Sequence, residues 1–75
     1  MKKYKIIEEH SGTKGDYIVR EYTNSFARAV NILSRYHNQS ENDSESDIKS
    51  STLLAKSDNK YVEIGRLECV ANCRS

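Results

Sequence analysis

The stretch Thr23-Asn24-Ser25-Phe26-Ala27-Arg28-Ala29-Val30-Asn31-Ile32-Leu33-Ser34-Arg35-Tyr36-His37 decides the fold, because its apolar residues recur at helical spacing. Thr23, Asn24 and Ser25 are each good N-cap residues, whose side-chain oxygen accepts a hydrogen bond from an orphan amide of the first turn. Phe26, Val30, Leu33 and His37 then fall on one stripe, with Ala29 and Tyr36 along its edge. Arg28, Asn31 and Arg35 point the other way. The spacing predicts a helix from Phe26 that ends near His37 or Asn38.

Both flanks of this helix read as hairpins. Lys3 to Glu9 and Asp16 to Tyr22 are rich in aromatic and β-branched residues, and Gly12 and Gly15 lie in the polar turn between them. Ile6 and Val19 are expected on the buried face. Ser51 to Lys56 and Tyr61 to Leu67 form the second pair around Ser57-Asp58-Asn59-Lys60, since Asp and Asn tolerate the left-handed backbone of a tight turn. Counting outward sets Ala55 opposite Val62 and Leu53 opposite Ile64 on one face. Leu54 with Glu63, and Lys56 with Tyr61, share the other. The order β-β-α-β-β predicts an α+β protein with one helix packed on an antiparallel sheet.

Asn38 to Asp47 contains no apolar side chain and four of the eleven acids. Such a stretch cannot bury enough surface to offset the entropy of ordering it, so residues 38–49 are expected to form a flexible acidic loop. Neither flank is large enough to fold alone, so residues 1–75 are expected to be one domain, with 69–75 as a tail. A core of this size typically supplies about 3–5 kcal/mol unless something staples it. A Cys69–Cys73 bond, or association with a second copy or a partner, would be such a staple.

The formal charge of +1 is unevenly distributed: residues 1–37 hold seven basic and four acidic groups, residues 38–49 one and four, and residues 50–75 four and three. A general nucleic-acid binder is usually more basic. No apolar run is long enough to span a bilayer, and Met1-Lys2-Lys3 leads into a strand pattern rather than a signal-peptide core. The expectation is a cytoplasmic protein, monomeric or homodimeric and without membrane contact, whose cysteines are by default reduced thiols.

Little in the chain invites catalysis. Cys69-Val70-Ala71-Asn72-Cys73 could begin a metal site on a helical turn, but zinc would need two further ligands, with only His10 and His37 to offer imidazole. The spacing matches none of the usual zinc patterns, so no metal and no cofactor are expected. Neither histidine lies near a nucleophile in a known motif, and there is no glycine-rich phosphate loop. His37 is assigned to packing or capping and His10 to an exposed turn, and no enzyme is expected. A calcium loop counted from Asp43 would need glycine and glutamate where Ile48 and Leu54 stand. Asn38-Gln39-Ser40 and Asn42-Asp43-Ser44 match the glycosylation acceptor pattern only by the richness of this stretch in Asn and Ser.

The candidate interaction residues lie elsewhere. Arg28, Ile32 and Arg35 follow at i, i+4 and i+7 with Asn31 beside them. Ile32 is either an apolar anchor between arginines or a residue covered by its neighbours. Lys3, Lys5 and Arg20, with Lys2, either extend this surface or only solubilise a strand edge. Glu41, Asp43, Glu45 and Asp47 either form a solvated loop, or imitate nucleic-acid phosphates or meet a basic partner surface.

From Tyr4-Lys5-Ile6-Ile7 through Thr23-Asn24-Ser25-Phe26-Ala27-Arg28-Ala29-Val30 to Lys60-Tyr61-Val62-Glu63-Ile64, the chain resembles several small anti-CRISPR proteins of phages and other mobile elements. The likeness is one of pattern and size over most of the chain, and the acidic stretch is an insertion that the pattern does not require. The resemblance implies a non-enzymatic inhibitor that binds a Cas protein or effector complex and blocks target DNA or its cleavage. It transfers no functional residues. A small nucleic-acid-binding or transcription-regulating module, with Lys2, Lys3, Lys5, Arg20, Arg28 and Arg35 on phosphates, is the alternative. A thiol- or zinc-dependent regulator is a third reading.

Overall fold

Ser25 opens the helix as its sequence position predicts. Its backbone is extended (φ −99°, ψ 123°), its Oγ accepts the Arg28 amide at 3.2 Å, and its carbonyl accepts the Ala29 amide at 2.9 Å. In the computed structural model, which describes residues 2–10, 16–43 and 47–69, five elements follow in the order β1 (Tyr4–His10), β2 (Tyr17–Thr23), α1 (Phe26–Asn42), β3 (Ile48–Ser57) and β4 (Lys60–Glu68). The strands form one antiparallel sheet in the order β2-β1-β3-β4, and α1 packs on β3, β1 and β2. The α+β architecture read from the sequence is the one observed.

The core lies where α1 crosses the two central strands. Ile6, Ala29, Ile32, Leu33 and Leu53 form it, with Tyr4 and Tyr36 packed against them. Ile6 and Leu53 face each other across β1 and β3, and alternation carries Tyr4 and Ala55, then Glu8 and Ser51, to the same side. Ala29 is fully buried, and its lack of a side chain beyond Cβ lets the helix approach the sheet closely.

Three expectations are corrected by this packing. First, α1 is rotated toward Ile32. Ala29, Ile32, Leu33 and Ser40 are its buried residues, whereas Phe26 is 54% and Val30 38% exposed. Two overlapping apolar stripes share Leu33, and the sheet selects the one that also carries Ala29 and Ser40. Second, α1 continues to Asn42, and β3 already begins at Ile48, so most of the expected loop over 38–49 is regular structure. Residues 38–47 include no glycine or proline to stop a helix, and Ser40 is buried with its hydroxyl on Glu8. Third, both hairpins contain a bulge. The shift between Ile6 and Ile7 inserts Arg20 in β2, which sets Val19 opposite Ile7 and leaves it 38% exposed, away from the helix. The shift between Leu53 and Leu54 inserts Ile64 in β4, so Leu53 faces Gly65 rather than Ile64. Ala55–Val62, Leu54–Glu63 and Lys56–Tyr61 pair as read from the sequence, and Asp58 takes φ 57° at the turn.

The helix side of the sheet also holds a buried polar cluster. The Glu8 carboxylate, with no solvent exposure, accepts from Arg20 Nε, from Ser40 Oγ at 2.7 Å and from Ser51 Oγ at 3.0 Å. A buried carboxylate is tolerable only when its lone pairs are occupied in this way. The Arg20 guanidinium lies over the Tyr36 ring, 5.1 Å from its centroid, and so ties β2, β1, β3 and α1 together.

Candidate binding surface

The outer flank of α1 faces the β2 edge, and the two enclose a depression of about 270 Å³ lined by Glu21, Arg28, Asn31, Ile32 and Arg35. Helical spacing places Arg28, Asn31, Ile32 and Arg35 on one flank, and Glu21 reaches the same side because regular pairing from Tyr4–Thr23 sets it opposite Ile6, ahead of the bulge. Arg28, Asn31 and Arg35 are exposed and Glu21 is half-buried. The depression therefore offers two guanidinium forks and an amide against a single carboxylate, a donor-rich set suited to carboxylate or phosphate groups. Ile32 is only 4% exposed and belongs to the core, so it forms the floor of the depression and is no protruding anchor.

The remaining basic candidates are dispersed. Arg20 is engaged with Glu8 and Tyr36 inside the helix–sheet layer rather than on a free edge. Lys3 is exposed, and its amide donates to Asn24 Oδ1 at 2.9 Å. Lys5 belongs to the other face of the sheet, where its ammonium lies 5.4, 6.0 and 5.3 Å from the ring centroids of Tyr17, Tyr22 and Tyr61. Beside this aromatic cluster, Arg66 pairs with Glu9 at 3.0 Å and with Glu68 at 3.1 Å. Lys5 and the Arg28/Arg35 pair are thus on opposite sides of the sheet, and the six basic residues do not form one stripe.

The acidic candidates are also divided. Glu41 lies in the last turns of α1, its carboxylate 4.0 Å from His37 Nε2. Asp43 is the exposed C-cap residue, and Asp47 pairs with His10 Nδ1 at 3.0 Å. Glu45 falls outside the described residues. His10 ends β1 half-buried rather than exposed in a turn. His37 presents Nδ1 to the buried Cys69 sulfur at 3.7 Å, while Cys73 and its suggested bond to Cys69 lie outside the described residues.

Sequence reasoning missed Glu21, the tyrosine ring around Lys5 and the approach of Cys69 to His37. Glu21 was within reach of alternation, since two residues from Val19 it falls on the face expected to be buried. The tyrosines were legible in part, since Lys5 and Tyr22, and Lys56 and Tyr61, are direct cross-strand pairs. The approach of Cys69 to His37 depends on the strand order. No family model, curated protein or solved structure matches this chain.

Proposed function

We propose that the chain is a non-enzymatic inhibitory binding protein of phage or mobile-element origin. It acts by occupying a protein or DNA-binding surface of a host CRISPR–Cas effector complex. The observation that supports this reading is the α1/β2 depression, where Arg28, Asn31 and Arg35 surround an apolar floor at Ile32. Its lining recognises anionic groups but holds no nucleophile with a base beside it, which suits docking rather than turnover. A preformed, donor-rich patch on a rigid helix needs little reordering on binding.

The test is inhibition, not capture alone. The purified chain and the variant Arg28→Glu/Arg35→Glu are assayed against host effector complexes for target-DNA binding and cleavage. In parallel, both are expressed in cells immune to a targeted phage. The parent should block the complex and restore plaquing, and the variant should lose both while keeping its circular dichroism, since both arginines are exposed. Equal inhibition by the variant, or none by the parent, would reject the reading.

One observation favours a second reading, a small nucleic-acid-binding module. Lys5 with Tyr17, Tyr22 and Tyr61 sets a cation among rings on a face that α1 does not cover, and Tyr17 and Tyr22 are 51% and 47% exposed. Rings and a cation on an open sheet are the parts of a base-stacking platform. Binding to single-stranded DNA or RNA that weakens steeply with salt, and that Tyr17→Ala/Tyr22→Ala abolishes, would select it.

A further inference from the structure

We infer that His37, Glu41 and Cys69 form a binding site for a borderline-soft divalent metal of the zinc class. The site is independent of the surface assigned above. His37 and Glu41 stand at i and i+4 on α1, and Cys69 follows β4, held there by its backbone N–H, which donates a hydrogen bond to the Lys49 carbonyl at 2.7 Å. One donor atom from each of the three residues lies within 4.8 Å of the other two. The sulfur is 3.7 Å from His37 Nδ1, whereas the carboxylate is 4.0 Å from Nε2. One ion takes only one ring nitrogen, so Nδ1 is the donor that shares an ion with the sulfur, and the Glu41 carboxylate must swing toward them. Metal–ligand distances of about 2.3 Å to sulfur and 2.05 Å to nitrogen place tetrahedral S and N donors roughly 3.5 Å apart. The thiol and imidazole therefore already stand near bonding separation. Adjustment of the imidazole ring and the Glu41 side chain, which is 29% exposed, completes the approach.

The donor set selects the metal. Thiolate and imidazole together favour zinc, and cobalt as its probe, over magnesium or calcium, which want oxygen ligands throughout. A thiolate and a carboxylate also neutralise a dication, which suits a site whose sulfur has no solvent exposure. The same three groups have the composition of a nucleophile, a base and its orienting acid. Burial separates the two readings: attack requires a sulfur open to substrate, and Cys69 is 0% exposed, whereas a metal ligand needs no such access. The fourth zinc position falls to water on the side of His37 and Glu41, whose side chains are 19% and 29% exposed. An ion here would join the C-terminal turns of α1 to the end of β4, a strand outside the set on which α1 chiefly packs. In so small a core that link would act as a staple.

The experiment uses the full chain carrying Cys73→Ser, so that Cys69 is its only thiol. The reduced, metal-free protein is titrated with Co²⁺, then with Zn²⁺ in competition, and melted with and without Zn²⁺. A 1:1 cobalt complex is expected, with a thiolate-to-cobalt charge-transfer band that zinc displaces and with a zinc-dependent rise in Tm. Cys69→Ser should abolish the band, and His37→Ala and Glu41→Gln should each weaken binding at least tenfold. The inference is overturned if the parent shows no charge-transfer band, or if His37→Ala and Glu41→Gln bind cobalt as tightly as the parent. Should Cys69→Ser fail to fold, the parent band and the other two variants still decide the question.

Discussion

Replacing Arg20 with alanine should cost about 3 kcal/mol, more than its position near a sheet edge suggests. The reason is Glu8, whose carboxylate has no solvent exposure and, among the described residues, would keep only the Ser40 and Ser51 hydroxyls as donors. Removing one partner of a buried ion pair typically costs about 3–5 kcal/mol, and the low end applies because the Arg20 side chain is 32% exposed. A chain of 75 residues with so small a core has about 4–5 kcal/mol in total, where the general range for its length meets the limit set by core size. The loss should therefore lower Tm by about 12–24 °C, at 4–8 °C per kcal/mol for a domain of this size. In urea, with m near 1 kcal/mol/M, the midpoint should fall by roughly 3 M or reach zero. Glu8→Gln supplies the control. Its carbonyl can accept from Arg20 and its amide can donate to both serine hydroxyls, so it should cost only about 1 kcal/mol. In that background Arg20→Ala should cost about 1 kcal/mol, which leaves a coupling near 2 kcal/mol in the double-mutant cycle. A loss below about 1 kcal/mol for Arg20→Ala alone, or a coupling near zero, would refute the view that a buried charge holds β2 to the core.

The other predictions rest on single contacts. Thr52 is 2% exposed and its hydroxyl has no hydrogen-bond partner among the described residues, so Thr52→Val should raise stability by about 1 kcal/mol in urea titration. Ser25→Ala removes the acceptor for the Arg28 amide and should cost about 1 kcal/mol, read as an earlier melt of the 222 nm helix signal (roughly 4–8 °C). Asp58 holds φ 57° in the β3–β4 turn, so Asp58→Gly should stabilise by a few tenths of a kcal/mol, roughly the αL strain it relieves less the added chain entropy. Ile32→Ala should lower stability by about 2–5 kcal/mol, because Ile32 is a core residue beneath the depression. It is unsuited as a binding variant for that reason.

The elements themselves were legible because each carries a local signal: the cap and period of α1, the β-branched runs, the Asp58-Asn59 turn. What escaped were quantities set by contact between elements. The face that α1 buries could not be chosen from its sequence, since Phe26/Val30 and Ala29/Ile32 flank Leu33 on either side with similar hydrophobicity. The extent of α1 was underestimated because polarity was read as disorder. Ser40 reads as a loop residue from its neighbours alone, yet Glu8, 32 positions away, supplies its partner. The same blindness applies to the depression. Spacing marks Arg28, Asn31 and Arg35, whereas that Glu21 lines the same depression depends on how α1 lies beside β2. In the sequence Cys69 and His37 suggest a ligand set only with Cys73 and His10, because a linear spacing rule does not see the end of one strand arriving beside a helix. The single-domain reading rests on size, and the described elements share one sheet and one core.

The two irregular positions in the hairpins have a bearing on how such a chain survives at high concentration. Arg20 and Ile64, the inserted residues, fall on β2 and β4, the strands at the two rims of the sheet. A rim with an unbroken row of amide donors and acceptors is a template onto which another chain can add, and a single extra residue puts that row out of step. The chain has no proline to guard these rims. Deleting Ile64 would restore an even ladder on β4, and the expected result is a protein that seeds fibres, visible as thioflavin fluorescence growing with time, where the parent stays dispersed.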